Sequence, residues 1–492
     1  MKIDSSQINS DAGRQVYNTL DCCLTHEIFG KISKQLDDNS RLIYNFERAL
    51  QAPVLEMMER GFRVDQYERQ KGIASLREQA SHLQFWLDSM AQAIWGAPLN
   101  AQSPKQLAAF FYGTMRLPEQ WKYEKGSRKL STDREALEKL AVYFYARPSV
   151  DTILEIRNVK KRLSVLETEI DFDGRMRTSY NIAGTETGRW SSSENAFGTG
   201  TNLQNVTPEL RKIFVSDPGF KLLGIDLEQA ESREVGWQCG VLFGDWSYLD
   251  AAYGGDLHTL ACKLIWPQLG WTGEKKADRT IADRIFYRGF SYRDMAKRGG
   301  HGSNYLGTPF TMARHLKVPT KLMETFQSAY FTAFPGIPRW HRWTAQQLQQ
   351  SRLLVTPFGR RRHFFGRPND DATLREAIAF VPQSSTGDRM NLGLWRIWKY
   401  MRDRVQLIAQ VHDAVYFQFP EHLDENEIAR EALALIDIRL QHNGHELIVP
   451  GEAKSGWNWG NYDAEKNPNG LKKISISTPD IRQRLDGLAR IL

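Results

Sequence analysis

The chain has 492 residues, 41% apolar, 11% aromatic and 25% charged, with a formal net charge of +7. This length exceeds one ordinary core and implies two to four subdomains. The composition argues against a disordered chain, and four cysteines are too few for a disulfide scaffold. No run of 18 apolar residues occurs, and the start MKIDSSQINSDAG lacks a targeting pattern, so we expect a cytoplasmic chain with no membrane partner. The positive excess is compatible with a polyanion. It gathers at Lys160-Lys161-Arg162, around Arg293, Lys297 and Arg298, and at Arg360-Arg361-Arg362-His363.

In chain order, a polar start leads into a short helix over 21–36. Leu50, Val54, Leu55 and Met58 recur at helical spacing until Gly61 stops the run. A helix of about 30 residues starts at Val64-Asp65, long enough to project from a globule. Ser103 before Pro104 caps another helix, 122–128 reads as a loop, and Ser131-Thr132 starts a further helix. A helix over 149–168 and a hairpin-type turn at Asp173-Gly174 follow. Residues 220–227 (FKLLGIDL) form a buried strand ending in an aspartate. The stretch 230–350 is helical, with breaks at 254–255, 270–273 and 334–336. Residues 405–419 are a strand pair turning near His412-Asp413. A linker from 467 leads to a helix over 478–492.

Two aspartates carry the chemistry. Asp226 ends the first buried strand and Asp413 sits in the turn of the strand pair. Carboxylates on rigid strand ends can ligate Mg²⁺, although an isolated Asp in such a place is more often a turn residue. Arg293, Lys297, His301 and Tyr305 are four apart and drift slowly around one helix face. Cations there could hold a triphosphate; a solvated helix face is the plainer alternative.

The surroundings of these residues resemble the family A DNA polymerases, the bacterial polymerase I and phage type. The run Asp226-Leu227-Glu228-Gln229-Ala230-Glu231-Ser232-Arg233 resembles motif A, Arg293-x3-Lys297-x7-Tyr305 resembles motif B, and Val411-His412-Asp413 resembles motif C. Thr185 to Ser192 with Asn202-Leu203-Gln204-Asn205 is similar to the template–primer contact segment. Gly359-Arg360-Arg361-Arg362, the Gln383 region and Gly456 to Trp459 follow in the family's order, so the likeness covers about 40–465.

The resemblance implies an α+β right-hand fold. Its thumb spans 41–172, its palm 173–250 and 351–466, and its fingers 251–350, between an exonuclease remnant (1–40) and a tail (467–492). It implies a DNA polymerase that extends a primer 3′ end with dNTPs using two Mg²⁺ ions, for which Mn²⁺ can substitute. Asp226, Asp413 and the Leu227 carbonyl would bind metal. Arg293, Lys297 and His258 would hold triphosphate, with His301 near the sugar and Tyr305 near the templating base. Glu231 would exclude ribonucleotides, and Gln229 is grouped with the nucleotide contacts, local structure being its other reading. Arg189, Asn202, Gln204, Asn205, Arg360, Arg361, Gln383 and His412 would contact primer–template DNA.

Several residues depart from the family pattern. His301 replaces an aromatic residue, Leu306 stands where glycine is usual, and Ala414 replaces the Glu after the motif C Asp. Gly299, Gly300 and Gly302 are unfavourable inside a helix and suggest a kink or ordering on nucleotide binding. Tyr17-x3-Asp21 resembles the last exonuclease motif with only 16 residues before it, so proofreading is expected to come from a separate exonuclease chain. A processivity protein is the alternative to such an exonuclease as a partner chain, and a phage replicative role in the host cytoplasm is favoured over cellular repair. The rival readings are a single-subunit RNA polymerase and an inactive DNA-binding scaffold.

Overall fold

The computed structural model describes residues 10–476 apart from 125, 196, 197 and 288; the helix expected over 478–492 lies outside the described residues. Helix α1 (Asp11–Ile32) begins well before the expected 21–36 because Ser10 caps it, the hydroxyl accepting from the Gly13 N–H at 3.0 Å. Helix α2 (Asp38–Arg60) stops at Gly61, φ 57°. A Cβ there would stand 2.7 Å from the Met176 carbonyl oxygen, so the position requires glycine. Strand β1 (Phe62–Val64) leads into α3 (Gln66–Trp95), capped by Asp65.

The long α3 does not project alone. Helix α4 (Arg147–Glu167) runs antiparallel along it, with Arg69 Nε donating to the Leu166 carbonyl at 2.6 Å near one end and Ser149 facing Met90 near the other. Ile73, Leu76, Leu87 and Ala91 of α3 and Val150, Ile153, Ile156 and Val159 of α4 are buried. The expected loop at 122–128 is instead a hairpin, Trp121–Glu124 against Ser127–Leu130, turning at Gly126 with φ 79°. The next helix, Arg134–Leu140, is capped by Asp133 rather than by Ser131 or Thr132. The turn at Asp173-Gly174 forms, but the strand after it, Arg175–Met176, pairs with the distant β1.

Strand β2 (Phe220–Leu227) precedes a mostly helical stretch: α5 (Ala230–Phe243), α6 (Leu257–Ile265), α7 (Tyr292–Asn304) and, after further helices, α8 (Asp371–Met401). A hairpin, Ile285–Tyr287 with Phe290–Ser291, interrupts that run and delivers the chain to α7. Strands β3 (Gln406–Val411) and β4 (Ala414–Pro420), helix α9 (Glu425–Ile436), then β5 (Gly451–Gly456) and β6 (Lys472–Lys473) complete the centre. The sheet is antiparallel in the order β3-β4-β2-β5-β6. Its alternating side chains are buried on both faces. Leu223, Ile225, Val415 and Phe417 pack with α2, α8 and α9, whereas Leu222, Ile408 and Val411 pack with Phe62, Phe214 and Trp459. That double burial is why residues 220–227 read as one apolar run.

Despite three glycines, α7 is assigned as one unbroken helix from Tyr292 to Asn304. Its glycines serve packing instead. A Cβ would meet the Phe326 ring at 2.6 Å from Gly299, the Tyr330 ring at 3.1 Å from Gly300, and Met312 Sδ at 2.7 Å from Gly302. Among the described residues no helix is long and apolar enough to cross a membrane.

Helices α5 and α8 are joined by a fully buried ion pair, Arg389 Nη2 to Glu234 Oε1 at 2.9 Å, both side chains 0% exposed. Burial pushes the Glu234 carboxyl up, with Arg389 opposing. Removing one partner strands the other charge, so Glu234→Ala should lower stability by about 3–5 kcal/mol in urea titration. Replacing both by apolar residues of similar volume should cost far less.

Candidate active site

The sheet register builds the site. Ala414 of β4 and Glu452 of β5 flank Asp226 of β2 as direct cross-strand partners, and the Leu227 N–H donates to the Asp413 carbonyl at 3.1 Å. Asp226 and Asp413 therefore open into one cleft of about 370 Å³. Leu227, Gln229, Glu231, His258, Lys297 and His301 line the same cleft. Arg293 lines an adjoining space of about 450 Å³ with Asp226, His258 and Lys297. Eight of the residues singled out in the sequence thus converge with Arg293 at the mouth formed by the ends of β2 and the β3–β4 turn.

That turn is tight. Val411 pairs with Ala414, leaving a two-residue loop, His412-Asp413, in which only His412 has positive φ, 55°. Glycine is the usual residue there, and a side chain costs roughly 1–2 kcal/mol. Gln229 is also left-handed, φ 54°, where the chain turns from β2 into α5; it thus has a structural role besides lining the cleft.

The electrostatics are strained in the same place. Burial pushes the Asp226 carboxyl up to about 6; Lys454 opposes this, while the charges of Asp413 and Glu452 add to it. By surface area Asp226 is an exposed residue of the strand, so solvent screens part of this shift. Burial also raises Asp413, with Arg189 opposing and Glu231 adding. Arg189 Nη2 lies 3.4 Å from Asp413 Oδ1 and donates a short hydrogen bond to Glu231, which also accepts from the Tyr305 hydroxyl. Glu452 is held by Lys454 and Lys473. Two crowded carboxylates that favour protonation suit a divalent cation, which relieves their repulsion. No group of three or more His, Cys, Asp or Glu among the described residues is arranged for a metal. The two carboxylates, Asp226 and Asp413, fit Mg²⁺, which takes one or two carboxylates and fills its shell with water and substrate phosphates.

On the opposite wall, α6 and α7 present the cations. Arg293 is paired bidentately with Asp256, Nε to Oδ2 at 2.6 Å and Nη2 to Oδ1 at 3.1 Å, and Arg279 adds a third contact at 3.0 Å. Although burial opposes it, these partners hold the Asp256 carboxyl far below the usual range. Burial and the Arg293 charge push His258 down to about 4, so it is a neutral hydrogen-bonding group at pH 7. The rings of His301 and Tyr305 meet edge to face at 4.9 Å.

The residues expected to touch DNA divide. Asn202 accepts from the Ser192 hydroxyl at 2.6 Å, Gln204 donates to Gln410 Oε1 at 3.1 Å, and Asn205 and His412 are exposed. Gln383 lies one turn before Gly387, the point where α8 touches Arg189. Arg360 is 11% exposed and paired with Asp388 (2.8 Å) and Glu47 (2.6 Å), where it fastens α2 to α8. Arg361 is paired with Asp37. Sequence reasoning missed Asp256, Glu452 and Gln410. Asp256 had a visible signal, since it caps α6; the other two gain their place only through strand register.

The fold is that of a right-hand nucleic-acid polymerase domain: the POL domain of Pol1 from M. smegmatis, solved in complex with DNA primer-template and dNTP, superposes with TM-score 0.65 at 23% identity, covering 84% of this chain and 69% of that one. The family model for DNA polymerase family A matches residues 71–240 and 280–461. The chain belongs to DNA polymerase family A. DNA polymerase I of Caldicellulosiruptor bescii is 26% identical over 480 residues, covering 92% of this chain and 52% of the relative. The thermostable DNA polymerase I of Thermus aquaticus is 26% identical over 457 residues, covering 88% and 50%. The chain spans about half the length of the curated relatives it matches.

The Asp226 shift has a definite sign. A carboxyl raised from 3.8 to about 6 in the folded protein loses stability as pH rises through that window and regains none above it. In EDTA at pH 7, Asp226→Asn should therefore melt a few degrees above wild type. The difference should shrink as pH falls through this window and vanish only below about pH 3, where both side chains are neutral in the folded and unfolded chain alike.

Proposed function

We propose that this chain is a template-directed DNA polymerase that extends a primer 3′ end with dNTPs. The observation that carries this reading is the single cleft in which Asp226 and Asp413 face Lys297, His258 and the neighbouring Arg293. When bound, two Mg²⁺ ions (or Mn²⁺) held by Asp226, Asp413 and the Leu227 carbonyl would lower the pKa of the attacking 3′-hydroxyl and stabilise the leaving pyrophosphate.

The protein's own groups do the rest. Arg293 and Lys297 bind and orient the triphosphate, and Asp256 keeps the Arg293 guanidinium aimed across the cleft until phosphate competes for it. His258, neutral at pH 7, contributes a hydrogen bond rather than a charge. Glu231, pinned between Arg189 and Tyr305, forms a rigid floor on which a 2′-hydroxyl would collide. His301 lines the sugar side and Tyr305 the templating-base side. Arg189, Asn202, Gln204, Asn205, Gln383 and His412 contact primer–template DNA, and Arg361 can join them once Asp37 releases it.

The thumb is assigned to 41–172, the palm to 173–250 with 351–466, and the fingers to 251–350. The phage-type replicative role rests on the sequence resemblance alone. The reading includes proofreading by a separate chain: Tyr17 and Asp21 stand on α1, a helix with no buried residue.

Primer extension with Mg²⁺ and dNTPs tests the reading. Asp413→Ala and Asp226→Ala should each lower the rate about a thousandfold or more, since each removes several kcal/mol of transition-state stabilisation. A primer with a mismatched 3′ end should keep its length; shortening would refute the assignment of proofreading to another chain. Extension with rNTPs in preference to dNTPs would favour an RNA polymerase, and no extension at all a scaffold. Glu231→Ala should raise rNTP use relative to dNTP use by about tenfold or more, read from competing incorporation.

A further inference from the structure

The motif C turn is held from behind by a side chain that none of the proposed roles uses. Gln410, 4% exposed at the end of β3, donates a short hydrogen bond from Nε2 to the carbonyl of His412. Its Oε1 accepts from Gln204 Nε2 at 3.1 Å. Its backbone is clamped too, because the Tyr180 hydroxyl accepts from the Gln410 N–H and donates to its carbonyl, each at 3.1 Å. Gln204 in turn approaches the Ser192 hydroxyl at 3.2 Å, and that hydroxyl donates to Asn202 at 2.6 Å. A continuous polar chain therefore runs from the 192–204 segment to the carbonyl directly preceding Asp413.

We infer that Gln410 is a positioning residue: it holds the left-handed His412 so that Asp413 points into the cleft, and it ties that orientation to the primer-side residue Gln204. The physical need is plain. A non-glycine residue at φ 55° relaxes unless something over-determines it. In a buried site the hydrogen-bond donors behind a ligand set its aim. The Gln410 amide donates to the His412 carbonyl through Nε2 and accepts from Gln204 through Oε1 at once. The inference rests on reading this cleft as a polymerase centre.

The test compares wild type, Gln410→Met and Gln204→Met in single-nucleotide extension and in Mn²⁺ titration of the DNA-free protein. Methionine keeps the length and packing of glutamine but removes both hydrogen bonds. Gln410→Met should lower kcat by about 10–100-fold and weaken Mn²⁺ binding within the same range, as the loss of outer-shell partners does. The KM for dNTP should stay within about twofold, because the triphosphate wall is untouched. Gln204→Met should lower kcat less, and adding it to Gln410→Met should change little further, since both act through one chain of bonds. A Gln410→Met protein with wild-type kcat and Mn²⁺ affinity overturns the inference while leaving the polymerase reading intact. If that variant does not fold, Gln204→Met decides: a fall in kcat with weaker Mn²⁺ binding supports the relay, and a change in the KM for primer–template alone overturns it. Wild type that fails to extend any primer overturns both readings together.

Discussion

Everything in the cleft depends on the position of β2 between β4 and β5. Because β2 is paired on both edges, a slip of one residue would break two ladders and exchange the side chains of two cores. That double constraint keeps Asp226 at a strand end beside the Asp413 turn, although burial and like charge both disfavour two ionised carboxylates there. The stability of the sheet is thus what sustains a locally unfavourable charge arrangement.

The opposite wall follows a different logic. Asp226 and Asp413 are placed by hydrogen-bonded strands, whereas Arg293, Lys297 and His301 are placed by a helix seated on apolar side chains, with Met295 buried in its core. The two walls have separate hydrophobic cores. A cleft between separately packed cores can change width without either core being rebuilt.

Much of this was legible in the sequence where local chemistry is strong. The Gly61 stop, the 30-residue helix after Asp65 and the aspartate at the end of FKLLGIDL all rest on caps, glycine or apolar runs, and each forms. Asp226, Asp413 and the cationic row could be named because each lies in a short local run that resembles a family motif. Partnerships across the chain were not legible. Nothing local distinguishes Arg360, which is consumed by Glu47 and Asp388, from an arginine free to meet DNA. Glu452 and Gln410 are ordinary strand residues until the register sets them beside Asp226 and behind His412. The glycines of α7 are a related case: helix propensity is a property of the isolated segment, and here it yields to what lies across the interface.

Those glycines also limit how the protein can be improved. Replacing helical glycine by alanine is among the commonest routes to a hardier enzyme, since it restricts the unfolded chain at little cost. In α7 the same change would drive a methyl group into the Phe326 ring from Gly299 or against Met312 Sδ from Gly302. Gains in heat resistance must therefore come from elsewhere in the molecule, and a library that randomises 299–302 for stability should return mostly glycine.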